Sequence, residues 1–236
     1  MIKAVAFDLE GTMVNVEAAH HNAHIAAASI VGVKLTMEDC FQKIPHFIGG
    51  PDEDIAKEIA ALAPSPVDWK LILELDKSHY EKFLEKSKIV ARSGLVEVLE
   101  WLKRNDYKMT VGSLTTEKYA KMLMESSGLD KYFDPRLVVL RDDVKQLKPS
   151  PDVWDETAER AGVNTTEQLV FEDSPRGILG AVTVGCLTIG MPIYNRPDTV
   201  NALVEAGAHR VFMNWDEINT PALIKNLNEE SAQSRA

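Results

Sequence analysis

Four short apolar runs punctuate the chain, Ile2–Phe7, Lys108–Ser113, Gln168–Asp173 and Cys186–Gly190, and the first three give way to polar residues. Nearly continuous hydrophobic runs of this length predict strands buried on both faces. Val211–Met213 adds a candidate edge strand. Between the runs lie amphipathic stretches at Gly94–Arg104, Thr116–Ser126, Pro151–Ala161 and Ser174–Val184, whose apolar positions recur at helical spacing. Strands alternating with helices predict right-handed βαβ units, and so an α/β fold with a doubly wound parallel sheet, a Rossmann-like core.

From about Val16 to Val90 the alternation stops. Helical patterns occupy Glu17–Ile30, Thr36–Lys43, Asp52–Leu62 and Pro66–Lys86, with turn signals at Gly49-Gly50-Pro51 and Pro64-Ser65-Pro66. This predicts an inserted α-helical cap domain at 16–90, dividing a core made of 1–15 and 91–236. The connections near Val14–Val16 and Val90–Ser93 would act as a hinge pair. The polar tail Asn228–Ala236 is expected to be disordered.

Composition narrows the partners. The 236 residues carry 26 Lys and Arg against 36 Asp and Glu, a formal charge of −10. Nucleic acid and anionic membranes both ask for a basic face, so neither is expected as a partner. No apolar stretch approaches the roughly 20 residues of a membrane helix, and the N-terminus lacks a signal-peptide pattern. Cys40 and Cys186 stand far apart, in no metal-ligand spacing, as expected of idle thiols in a reducing compartment. These features predict a cytoplasmic protein, a monomer or small homo-oligomer. Trp69, Trp101, Trp154 and Trp215 are expected to anchor packing, and Asp142-Asp143 to sit in a solvated loop.

The candidate chemistry lies where the strands end. In an open parallel sheet, ligands bind beyond the carboxyl ends of the strands, at the point where strand order reverses. The first run ends at Asp8 and Glu10, the second at Ser113, and the third at Glu172 and Asp173, while Lys148 lies in the loop Leu147-Lys148-Pro149-Ser150-Pro151-Asp152. Four converging carboxylates oppose one another's ionisation unless a cation or protons intervene. All-oxygen ligation suits magnesium. With Lys148 and Ser113 added, such a crevice suits a phosphoryl group, whose charge spreads over its equatorial oxygens.

These residues also fall into four motifs. Asp8-Leu9-Glu10-Gly11-Thr12 is followed by Ser113, by Lys148-Pro149 with Pro151-Asp152, and by Phe171-Glu172-Asp173-Ser174-Pro175-Arg176-Gly177. In order and separation, over about Ile2 to Ile218, the chain resembles the haloacid dehalogenase-like hydrolases, in particular the branch of β-phosphoglucomutases and sugar-phosphate phosphatases with a helical cap. The resemblance implies that Asp8 attacks phosphorus to form an aspartyl-phosphate. It implies that Glu10 protonates the leaving alkoxide and then activates water. Ser113 and Lys148 would hold the phosphoryl group. Magnesium would bind the Asp8 and Asp173 side chains and the Glu10 carbonyl, with Glu172 as a further ligand or an acceptor behind them. The implied substrate is a small phosphorylated metabolite.

The pattern departs from the family at Glu10, where the usual residue is Asp. Glu is longer by one carbon–carbon bond, about 1.5 Å, and enolase-phosphatases of the same superfamily carry the same substitution. His20 falls where β-phosphoglucomutases keep a cap histidine, which implies contact with the substrate or with Glu10. The pair His20/His24 has ligand spacing for zinc, but no third ligand is evident in the sequence. The loop Gly49–Glu53 is acidic where the mutases place an arginine for a second phosphate, which favours a monophosphate. A phosphomutase, or an idle phosphate-binding protein with Glu10 as its lesion, are the alternatives.

Overall fold

In the computed structural model, which describes residues 1–48 and 50–233, the chain forms two units. Met1–Asn15 and the chain from Val90 onward make the first, and Val16–Ile89 the second. Within the second unit lie helices α1 (Glu17–Ile30), α2 (Met37–Lys43), α3 (Asp52–Leu62) and α4 (Trp69–Lys86). The first unit contains α5 (Leu95–Arg104), α6 (Glu117–Ser127), α7 (Asp152–Ala161), α8 (Pro175–Thr183), α9 (Pro197–Glu205) and α10 (Thr220–Gln233). Its strands are β1 (Ala4–Phe7), β2 (Lys108–Gly112), β3 (Val138–Val139), β4 (Gln168–Glu172), β5 (Leu187–Gly190) and β6 (Arg210–Val211).

Among the described residues the six strands form one parallel sheet in the order β3-β2-β1-β4-β5-β6. Strand order reverses beside β1, which pairs with β2 on one side and β4 on the other. Every residue of β1 and β4 is buried, as a sheet covered by helices on both faces requires. Alternate side chains of β1 enter different halves of the core. Ala6 packs with Val139, Val153, Trp154, Val170 and Ala181. Phe7 faces the other way, stacking on Phe171 at 5.5 Å between ring centroids and packing against Trp215 at 5.8 Å.

The second unit has its own core of Ala27, Ala28, Val33, Cys40, Ile44, Phe47, Ile55, Ala56, Ile59 and Ile72. Helix α2 starts at a capping box, in which Thr36 Oγ1 accepts from the Asp39 amide and Asp39 accepts from the Thr36 amide.

Several expectations need correction. Two-residue strands show no period, so β3 was not foreseen, and the edge strand is Arg210–Val211 rather than Val211–Met213. Helix α9 was also not foreseen. The tail is not disordered from Asn228, because α10 continues to Gln233. Leu223, Ile224 and Leu227 bury its inner face, and Asn228 Oδ1 accepts a 2.7 Å hydrogen bond from the Ile2 amide. The rest of that tail, 234–236, lies outside the described residues, as does Gly49 of the expected turn. Asp142 and Asp143 are exposed as expected, in a single 3-10 turn where Asp143 also accepts from the Leu140 amide and pairs with Arg160 at 2.9 Å.

Candidate active site

Strand register builds the site. Phe7 lies level with Val111 of β2 and with Phe171 of β4. The next residue on each strand, Asp8, Gly112 and Glu172, therefore leaves the sheet at one height, beside the reversal of strand order. The Lys148 ammonium contacts all three. Its Nζ lies 2.7 Å from Asp8 Oδ1, 2.6 Å from Glu172 Oε2 and 3.3 Å from the Gly112 carbonyl oxygen. It also sits 4.6 Å from the centroid of the Trp154 ring, a cation–π contact. Trp154 is held in turn by donating Nε1–H to the Gly177 carbonyl at 2.9 Å.

Glu172 is fixed from its other oxygen. Oε1 accepts from the Ser174 amide at 2.9 Å and from Ser174 Oγ at 2.8 Å, while the same hydroxyl oxygen caps α8 by accepting from the Gly177 amide. Position 177 must be glycine for this, because a β-carbon there would lie inside the Glu172 carboxylate. Pro175 at the first turn costs no hydrogen bond.

Asp173 approaches the loop after β1. Thr12 donates its hydroxyl to Asp173 Oδ1 at 3.3 Å. Gly11 has φ of +85°, and a β-carbon on it would coincide with the Asp173 carboxylate. Both facts require glycine at this position. Arg92 holds the loop from below. Its guanidinium donates to the carbonyls of Gly11 at 2.7 Å, Met191 at 2.7 Å, Pro192 at 3.3 Å and Met213 at 2.6 Å. Burial lowers its pKa, against the pull of Asp173 and Glu217.

The charges do not balance internally. Burial, assisted by Glu172 and Glu10 and opposed by Lys148, pushes the Asp8 carboxyl well above the usual range. Burial would lower the pKa of Lys148, but Asp8 and Glu172 overcome it and hold the ammonium charged. One ammonium thus faces the carboxyl groups of Asp8 and Glu172, with Asp173 alongside. Oxygens of Asp8, Glu172 and Asp173 all lie within 4.8 Å of one another. This hard, all-oxygen, net-negative set fits a magnesium ion.

The other expected residues are placed as follows. Ser113 is buried just past β2, its Oγ accepting from the Thr115 amide at 3.3 Å. Glu10 stands in the loop after β1, bridged to Val14 and close enough for its charge to act on Asp8. His20 belongs to the second unit, where its Nε2 lies 3.2 Å from Asp52 Oδ1. Burial alone would lower the imidazole pKa, but Asp52, with Glu17 and Asp76 behind it, pushes it up to about 10. Reading the sequence missed Arg92, Thr12 as a partner of Asp173, and Trp154 beneath Lys148. It also missed that Asp52 and Asp76 supply acidic partners to His20 and His24.

The pattern of the family described as haloacid dehalogenase-like hydrolase matches residues 5–191, and the chain belongs to that family. It is thus a hydrolase with a Rossmann-like fold. Among curated relatives, the phosphorylated carbohydrates phosphatase of Thermotoga maritima is 29% identical over 211 residues, covering 88% of this chain and 92% of that protein. The fructose-1-phosphate phosphatase of Escherichia coli is 31% identical over 180 residues, covering 76% of this chain and 90% of the other. A haloacid dehalogenase-like protein from Agrobacterium tumefaciens superposes with a TM-score of 0.83 at 23% identity, covering 97% of this chain and 100% of its own. At that identity the likeness concerns the fold. No helix among the described residues is long and apolar enough to cross a membrane.

Proposed function

We propose that this protein is a magnesium-dependent phosphatase of small phosphorylated carbohydrates that works through an aspartyl-phosphate on Asp8. One observation carries the reading: Lys148 bridges Asp8, Glu172 and the Gly112 carbonyl where strand order reverses, with Asp173 alongside. The curated relatives, two of them named as sugar-phosphate phosphatases, support the substrate class.

In the first step an Asp8 carboxylate oxygen bonds to phosphorus and the phosphorus–ester oxygen bond breaks. Glu10 delivers its proton to the departing alkoxide. In the second, Glu10 takes a proton from water as that water attacks phosphorus, and the bond to Asp8 breaks to release phosphate. The Lys148 ammonium and the Ser113 hydroxyl donate to the phosphoryl oxygens. Lys148 also orients Asp8 through Oδ1, while Arg92 and Thr12 hold the loop that carries Glu10 and the Asp173 carboxylate. Asp8, Asp173 and the Glu10 carbonyl would hold magnesium, with Glu172 behind them, and when bound the ion supplies positive charge that keeps Asp8 ionised and offsets the phosphoryl oxygens.

The test is phosphate release from a panel of sugar monophosphates, with magnesium and then with excess EDTA. Turnover of at least one hexose or pentose phosphate that EDTA abolishes and magnesium restores is the expected result. No turnover across the panel, or turnover indifferent to EDTA, would refute the reading.

A further inference from the structure

We propose that the second unit carries a separate transition-metal site formed by His20, His24, Asp52 and Asp76, with the chemistry of zinc. His20 and His24 stand one turn apart on α1, their ring centroids 4.7 Å apart. Asp52 opens α3 and Asp76 lies within α4. One ligand atom from each of the four falls within 4.8 Å of all the others. His20 Nε2 and Asp52 Oδ1 are 3.2 Å apart. Zinc bonds to imidazole and carboxylate of about 2.0–2.1 Å give a tetrahedral edge of roughly 3.3 Å, so this pair needs almost no movement to share an ion.

A second observation is independent of the clustering. Asp76 is 4% exposed, and its Oδ1 has no hydrogen-bond partner. His24 Nδ1 comes within 2.8 Å of that oxygen, but not in hydrogen-bond alignment. The two form a close ion pair, shorter than the roughly 3.3 Å tetrahedral edge, so this side of the cluster would open by about 0.5 Å to share an ion. A buried carboxylate oxygen left without a hydrogen bond is costly and calls for an occupant.

The donor set also indicates which ion. Two carboxylates balance a divalent charge, and two imidazoles select zinc, cobalt or nickel over magnesium and calcium. Glu17, near His20 with the two aspartates, deepens the negative field. The site would tie together α1, α3 and α4, three helices that otherwise meet through side-chain packing. It is chemically unlike the all-oxygen cluster around Asp8 and does not depend on the function proposed above.

The test uses the full chain, stripped by chelator and held in excess magnesium, titrated with cobalt as a visible probe. We expect one equivalent to bind with the intense visible absorption of tetrahedral cobalt. In His20→Ala and Asp52→Asn, changes at two positions that are not fully buried, binding should weaken by more than about 100-fold, because loss of outer-shell partners alone costs 10–100-fold. Asp8→Asn should bind as the parent does. A weak octahedral spectrum, or cobalt binding unaltered in both variants, overturns the proposal; so does binding lost in Asp8→Asn. X-ray absorption on the unmutated protein with one equivalent of zinc provides a reading without substitutions. Two imidazoles and two oxygens at about 2.0–2.1 Å are expected, and a shell of oxygen alone contradicts it.

Discussion

Replacing Lys148 with Met removes the charge but keeps much of the volume. In the folded protein its ammonium meets Asp8 Oδ1 at 2.7 Å and Glu172 Oε2 at 2.6 Å, with the side chains of Lys148, Asp8 and Glu172 only 7%, 9% and 1% exposed. Without it, two buried carboxylates face each other and water cannot solvate them. Breaking a buried ion pair from one side costs about 3–5 kcal/mol. The loss should reach the upper part of that range, because one cation serves two anions. Adding Glu172→Gln removes one of those anions, while its amide oxygen can still accept from Ser174. The double variant should therefore recover about 1–3 kcal/mol, the cost of an unsatisfied buried partner. Urea denaturation in EDTA, monitored for the transition of the first unit, measures both. If Lys148→Met unfolds at the parental midpoint, or if the second substitution adds to the loss, the electrostatic account of this site is wrong.

Three further outcomes are expected. Gly11→Ala should cost about 1–2 kcal/mol from the left-handed backbone alone, and should raise the magnesium concentration needed for half-maximal activity by displacing Asp173; an unchanged magnesium titration would contradict this. Glu10→Gln should slow turnover by about 10²–10⁴, as removal of a general acid does, and Glu10→Asp should also lose activity because its carboxyl is shorter; a gain with Asp would mean that Glu10 impairs the natural enzyme. His209 is exposed on its outer side, but its Nδ1 accepts from the Thr188 amide at 3.2 Å, and partial desolvation, then Arg210, lowers its pKa below 6.5. The unfolded chain therefore binds the proton more tightly, so this contribution is present above about pH 6.5 and is lost as pH falls toward the folded pKa. Urea midpoints from pH 7.5 to 5.5 should fall less steeply in His209→Asn, and equal slopes would refute the assignment.

Much of the site was legible in the sequence because its residues sit next to strands. Asp8, Ser113, Glu172 and Asp173 each follow an apolar run, so parallel register was enough to bring them to one edge. Lys148 was expected to join them, but its contact with the Gly112 carbonyl has no signature in residue identity. Arg92 was hidden for the same reason, since all four of its partners are backbone carbonyls from three separate loops. The pair His20/His24 was noticed, yet its acidic partners come from other helices and only packing reveals them. The strand at Val138–Val139 is too short to carry a period, and from Asn228 onward the end of α10 reads as a polar tail because its buried apolar residues, Leu223, Ile224 and Leu227, all precede it.

In the proposed mechanism Asp8 is the group that receives phosphorus. Acid-quench of the enzyme during turnover, followed by borohydride reduction and peptide mass spectrometry, tests it directly, since an acyl phosphate is reduced where a free carboxylate is not. Homoserine at position 8, formed only with substrate and magnesium present, is the predicted result. An unmodified Asp8 with reduction at another carboxylate would contradict it.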